Sequence, residues 1–385
     1  MVKDFFARKR EWSKYKDMIL GYYLTPYLPK VCSMGRPVVI VDCFAGKGRF
    51  DDGTDGSPRI IAQAIKVWTD RGKDVKAILV EEKKSLFGQL ENNIQEFGPL
   101  CRAVHGTFED SVTEIGKLAR THVVFVYVDP YGLKPLKFSL LSSIYQHLTT
   151  GSSVEVLMNF NSPSLVRNGR AALGLTQKEI PEDEWLDEFE DEGKRTMSPD
   201  DIDEIAGGAY WRNIVSNDMT FAEMEQACIQ EYMKQMAHFF RGVCCYPIKE
   251  KYTHKIPKYR MLFGSRHPDA MILINDAVCN ARDRFLKKER LDGWLLDLRQ
   301  DDERHDPTRL RQAIQTVLDN TAKLKRRELI VRSMENVFGE YKGGEHKTAI
   351  SAMLKEGALH SASGKTRIND SEWLSRQPFT GGKRT

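Results

Sequence analysis

The chain has 385 residues, 41% of them apolar and 29% charged, enough for one large domain or two ordinary ones. No stretch approaches the ~18 consecutive apolar residues of a membrane span, and the charged, aromatic opening "MVKDFFARKREWSKYK" lacks the apolar core of a secretion signal. The net charge of +4 is unevenly spread: residues 178–204 hold 13 acids against 3 bases, whereas residues 323–385 hold 13 bases against 7 acids. A basic tail domain beside a detached acidic segment fits a surface for a polyanion such as DNA or RNA. The seven cysteines include no C-x-x-C pair, and Cys244 and Cys245 are adjacent. That usage predicts reduced, mostly buried thiols in a cytoplasmic protein.

In chain order, residues 12–30 carry apolar residues at helical spacing and predict a helix with Pro29 near its end. "RPVVIVDCFAGKGRF" follows: a β-branched run, an acid, then a glycine turn. Residues 56–68 read as a helix opened by Ser57 and Pro58, residues suited to the N-cap and first turn. A second strand over 75–84 ends in acids. A helix over 85–98 leads to a short third strand over 101–110, which ends "GTFED". "SVTEIGKLA" is helical, and a fourth strand, "VFVYV", ends at Asp129-Pro130-Tyr131-Gly132. A helix over 136–148 and a fifth strand over 153–161 complete the series. This unbroken alternation predicts a parallel sheet with helices on both faces and a ligand beyond the carboxyl ends of its strands.

Residues 162–220, rich in Gly, Pro, Ser and acids, read as an insert or lid. A helix over 221–240 precedes two strand-like runs, "CCYPIKE" and "YRMLFGSRH", a hairpin that closes the sheet's edge. A long helix follows from Pro268. The tail reads as two helices, "RRELIVRSMENVF" and "GEHKTAISAMLKEGAL", then a Ser-Gly-Lys turn between short extended arms. That is the layout of a winged helix, with Lys347, Lys365 and Arg367 as candidate nucleic-acid contacts. The expected domains are 1–292, insert included, and 305–385.

Four strand ends carry the chemistry. The first gives D-x-F-x-G-x-G, from Asp42 through Phe44 and Ala45 to Gly46 and Gly48. Position 51 is Asp, so this is not the dinucleotide fingerprint G-x-G-x-x-G. It is the pattern of an S-adenosylmethionine (SAM) loop, whose glycines let the backbone approach a ligand. Glu81 or Glu82, with Glu81 nearer the second strand's end, is placed to take the ribose hydroxyls. Phe108 and Asp110 in "GTFED" are placed to stack the adenine ring and bond its amine. The fourth strand delivers Asp129, Pro130 and Tyr131. An exocyclic base amine is a poor nucleophile, so a carboxylate and a carbonyl that accept its hydrogens favour methylation there. The aromatic ring stacks on a base taken out of its helix. D-P-Y-G is close to the variant in tRNA guanine-N2 methyltransferases. A rival reading takes Glu81, Lys83 and Asp129 as a metal-dependent nuclease centre. No His/Cys cluster with metal-ligand spacing occurs.

The ordered set "VDCFAGKGRF", "GSP", "VEE", "FVYVDPYG", "VLMNF", with "KYKDMILGYYLTPYLPKV" before it and "YRMLFGSRHPDA" after it, resembles the three-Cys-motif partner protein family over about residues 14–280. The resemblance implies a class I SAM-methyltransferase-like (Rossmann-like) fold, SAM as cofactor, a radical-SAM-like partner protein with three cysteines, and a C-terminal winged helix. It also implies a basic residue after the fifth strand, here Arg167, as a phosphate contact. The expected function is SAM-dependent methylation of a nucleic-acid base amine. The alternative is a binding or lesion-recognition partner on an altered scaffold, favoured by Gly132 where amino methyltransferases carry a second proline.

Overall fold

A computed structural model describes residues 9–146, 151–178, 197–250, 254–291 and 306–379. They form two compact units, residues 1–267 and 268–385. In the first, helix α1 (Glu11–Cys32) precedes β1 (Val38–Asp42), α2 (Ser57–Thr69), β2 (Val75–Glu81) and α3 (Lys84–Ile94). A 3-10 turn over Gln95–Leu100 leads to β3 (Cys101–His105), α4 (Phe108–Thr121), β4 (Val123–Val128), α5 (Phe138–Gln146) and β5 (Ser153–Phe160). Helices α6 (Ser162–Ala172), α7 (Pro199–Ala206), α8 (Tyr210–Ser216) and α9 (Phe221–Ala237) come next, then β6 (Gly242–Ile248) and β7 (Tyr259–Ser265).

The seven strands lie in the order β3-β2-β1-β4-β5-β7-β6. β1 to β5 are parallel, and β7 enters antiparallel between β5 and β6. Strands β1 and β4 are buried along their whole length. Their continuous apolar runs reflect a sheet covered on both faces, where alternation would leave a polar residue facing a helix. Between β1 and β4 the order reverses, and a crevice opens there at the carboxyl ends of the strands.

Three expectations need correction. The third strand stops at His105. Residues 107–110 start α4 instead, because Thr107 and Asp110 form a reciprocal capping box. Ser57 is not an N-cap: Gly56 holds that position, and the Ser57 hydroxyl donates elsewhere, as described below. The described part of 162–220 is helical and packed into the main core, with Leu165, Val166, Ile202 and Trp211 buried. Capping boxes at Ser198 and Thr220 open α7 and α9. Residues 179–196, most of the acidic segment, lie outside the described residues, and so does the end of the helix expected over 136–148.

The second unit comprises α10 (Pro268–Leu291), α11 (Pro307–Asp319), β8 (Leu324–Lys325), α12 (Arg326–Met334), α13 (Gly343–Lys355), β9 (His360–Ser361) and β10 (Trp373–Ser375). Its strands pair antiparallel in the order β8-β10-β9. Helix α10 groups with this unit. Asn275 on α10 donates to the Tyr341 carbonyl, and Asp276 accepts from the Gly343 amide. Helix α11, which no expectation covered, supplies Leu310, Ile314 and Leu318 to its core.

Candidate active site

The end of β1 turns at Gly46 and Gly48, whose φ angles of 60° and 81° are left-handed. A Cβ on Gly48 would meet Leu90 at 3.3 Å. Beside this turn lies a cavity of about 540 Å³ at the strands' carboxyl ends. Of the eight residues expected at a cofactor, Phe44, Ala45, Gly46, Gly48, Glu81 and Phe108 line it. Glu81 Oε2 accepts the Gly46 amide at 2.9 Å, and Oε1 accepts the Lys83 amide at 2.7 Å. This carboxylate fixes the glycine turn while still bordering the cavity. Burial raises its pKa, and the two amide bonds oppose that rise. Phe108 is buried and packs against Phe44, ring centres 5.8 Å apart.

Asp42 and Asp110 do not line the cavity. Asp42 is wholly buried; it accepts the Ser57 hydroxyl at 2.7 Å and the Phe44 amide at 3.2 Å, tying β1 to the start of α2. Burial pushes its carboxyl up to about 7. Asp110 is spent on the Thr107 cap, whose hydroxyl holds its carboxyl below the usual range. Thr107 and Glu109 border the cavity in its place. Both expected acids serve local backbone structure, which a strand-end position alone does not reveal.

Asp129, Pro130 and Tyr131 line the same cavity. Lys16 of α1 donates to both Asp129 oxygens, at 2.8 and 2.9 Å. Asn159 Nδ2 donates to Oδ1 at 2.8 Å, and the Tyr127 hydroxyl to Oδ2 at 3.3 Å. A carboxylate offers about four acceptor positions, and the Lys16 and Asn159 bonds take three of them. The Tyr127 contact is long for a hydroxyl donor, so Oδ2 has the capacity to spare. Asn159 turns its Nδ2 toward Asp129, which leaves its own Oδ1 with no donor among the described groups. Lys16 also sits 4.9 Å from the Tyr259 ring centre. Tyr131 is 59% exposed, with the Lys83 ammonium 5.7 Å from its ring centre.

Lys16, Asn159 and Tyr259 went unread in the sequence. Lys16 looks like a polar position on an amphipathic helix, and 113 residues separate it from its partner. Arg167 lies half-buried on α6 and does not line the cavity. In the second unit, Lys347 lies 3.7 Å from Asp370, while Lys365 and Arg367 are exposed between β9 and β10.

Among the described residues, no group of three His, Cys, Asp or Glu side chains is placed to hold a metal ion. Glu81 braces two main-chain amides and Asp129 is ion-paired with Lys16, an arrangement that does not favour the nuclease reading of Glu81, Lys83 and Asp129. Six of the seven cysteines are buried, and Cys245 is half-buried. No helix among the described residues is long and apolar enough to cross a membrane.

No protein-family profile matches the chain, and no curated protein matches it in sequence. Solved structures do resemble it. A fibrillarin–Nop5p complex aligns at 10% identity and a TM-score of 0.33, over 60% of this chain and 74% of that one. A Legionella pneumophila protein aligns at 10% and 0.36, over 69% and 90%. An RNA methyltransferase from Salinibacter ruber, in complex with S-adenosyl-L-homocysteine, aligns at 16% and 0.22, over 35% and 74%. The strand order, with one antiparallel strand beside the edge and a glycine turn after β1, defines a class I methyltransferase-like, Rossmann-like fold.

Proposed function

We propose that the protein is a SAM-dependent methyltransferase acting on an exocyclic base amine in nucleic acid. The observation that carries this reading is one cavity bordered by both the Glu81-braced glycine turn and the Asp129-Pro130-Tyr131 strand end. Phe44, Ala45, Gly46, Gly48, Glu81 and Phe108 would hold SAM, which supplies the methyl group when bound. Thr107 or Glu109, rather than Asp110, would meet the adenine amine.

The target amine needs acceptors for its two hydrogens. In this reading Asp129 Oδ2 supplies one and a main-chain carbonyl of the Asp129-Pro130-Tyr131 turn the other, while Lys16 holds the carboxylate plane. Tyr131 offers its exposed face to the base. The second unit, read as a winged helix, would add phosphate contacts through Lys365 and Arg367, with Lys347 after release from Asp370. Arg167 would contribute only if substrate reached α6. The motif set shared with three-Cys-motif partner proteins adds a radical-SAM-like protein as a proposed partner.

The test is transfer of labelled methyl from SAM to total RNA and to DNA, by wild type and Asp129→Asn. The expected result is transfer to one pool, lost about 100-fold or more in the variant while S-adenosyl-L-homocysteine binding stays within about tenfold. One observation favours a second reading, a nucleic-acid-binding partner without methyl transfer: Asp129 is already ion-paired with Lys16 and bonded by Asn159, which takes three of its four or so acceptor positions. Tight nucleic-acid binding indifferent to SAM, with no transfer to either pool, would establish that reading instead.

A further inference from the structure

The second unit carries a feature that the methyl-transfer reading does not use. Trp373 on β10 is 39% exposed, although its neighbour Leu374 is wholly buried. Successive strand residues face opposite sides, so Leu374 enters the core and Trp373 stands on the outer face of the small sheet. Trp373 is paired in register with Lys325 of β8. The Lys325 ammonium lies 5.6 Å from the Trp373 ring centre, and that of Lys323 lies 5.4 Å from it. Both lysines are exposed.

The charges of this patch are not neutralised. Arg309, Arg311, Arg332 and Arg376 of the same unit each reach a carboxylate, on Glu340, Glu356, Glu328 and Asp319. Among the described residues neither Lys323 nor Lys325 has one within ion-pair reach. Two like charges therefore converge on one indole, which attracts each of them weakly but does not neutralise either. An anion that also presents a flat face relieves this arrangement.

The geometry points to a binding site for single-stranded nucleic acid: a base stacks on Trp373 and the flanking phosphates bind Lys323 and Lys325. Stacking on an aromatic ring beside cations is how proteins hold single strands without reading their sequence. An acidic peptide would use the lysines and leave the indole idle. A lipid surface would need several apolar side chains, and Trp373 is the one large exposed apolar residue of this unit among the described residues. The site uses none of Lys347, Lys365 and Arg367, and it stands whether or not the cavity transfers methyl groups.

The test is fluorescence anisotropy of the full chain with labelled oligo-dT and oligo-rU of twenty nucleotides. A matching duplex, heparin and phosphatidylserine vesicles serve as competitors. Trp373→Ala is expected to weaken single-strand binding about tenfold, within the range that one lost stacking contact gives. The double variant Lys323→Ala/Lys325→Ala is expected to lower the slope of log K against log salt by about 1.4, at about 0.7 per phosphate. Thermal unfolding checks that both variants fold, and the lysine pair, wholly on the surface, keeps the test open should Trp373→Ala unfold. Wild-type affinity in both folded variants would overturn the assignment. So would wild type that ignores oligonucleotides, or that prefers vesicles or duplex.

Discussion

Asp42 and Asp129 both end buried parallel strands, yet their surroundings give them different work. Asp42 has only neutral donors and full burial, and its carboxyl is pushed from 3.8 up to about 7. Between those values the folded chain holds a proton that the unfolded chain has released. Stability therefore falls as pH rises from about 4 to 7, by up to ~1.4 kcal/mol per pH unit from this group. Asp42→Asn keeps both bonds, since the amide oxygen takes the Phe44 N–H and its NH2 donates to Ser57. Urea unfolding should show the variant gaining on wild type as pH goes from 5 to 7. Parallel curves would refute the buried, neutral role. Asp129 instead meets the Lys16 ammonium. Lys16→Met keeps the aliphatic stem and removes that charge. Methyl transfer should fall about tenfold or more, with S-adenosyl-L-homocysteine affinity within about threefold, because Lys16 orients the acid and does not belong to the cofactor's loop. Equal loss of both would make Lys16 a structural prop.

The elements explain why these residues meet. Most of β1, β2, β4 and β5 was legible, because apolar β-branched runs that stop at an acid or Asn mark buried parallel strands and their ligand-facing ends. What stayed hidden was long-range or spent locally. The Lys16 contact depends on where α1 packs, which periodicity does not encode. The signal that Asp110 caps a helix was present as Thr107-x-x-Asp110, but "GTFED" reads equally as a strand end. Helices α6 to α8 read as an insert in the sequence because Gly, Pro and acids mask Leu165, Val166, Ile202 and Trp211, which the fold buries in the core. The glycine turn is itself testable as an element. Gly48→Ala puts a Cβ on a left-handed residue against Leu90, at a cost of about 1–2 kcal/mol. Its melting midpoint should drop by a few degrees, and its cofactor affinity should drop further than that of a matched control such as Gly35→Ala. Gly35 also has positive φ, but no atom lies within 4 Å of its added Cβ. Equal cofactor affinities in the two variants would count against the loop's role.

At the scale of the whole molecule, a methyltransferase-like unit and a basic second unit share one chain. If the second unit holds duplex or structured RNA through the exposed Lys365 and Arg367, replacing both with Ala should lower the salt slope by about 1.8 and leave cofactor binding alone. An unchanged slope would remove them from the interface. The methyl-transfer account depends on the cavity being a cofactor site, and that claim needs no knowledge of the substrate. The deciding measurement is calorimetric titration of S-adenosyl-L-homocysteine into wild type and Glu81→Gln. The substituted side-chain amide offers one acceptor oxygen, where the Gly46 and Lys83 amides need one each. The account predicts one site of about micromolar affinity, weakened about tenfold or more in the folded variant. No binding of either SAM or its product to folded wild type, or equal binding to the variant, would contradict it.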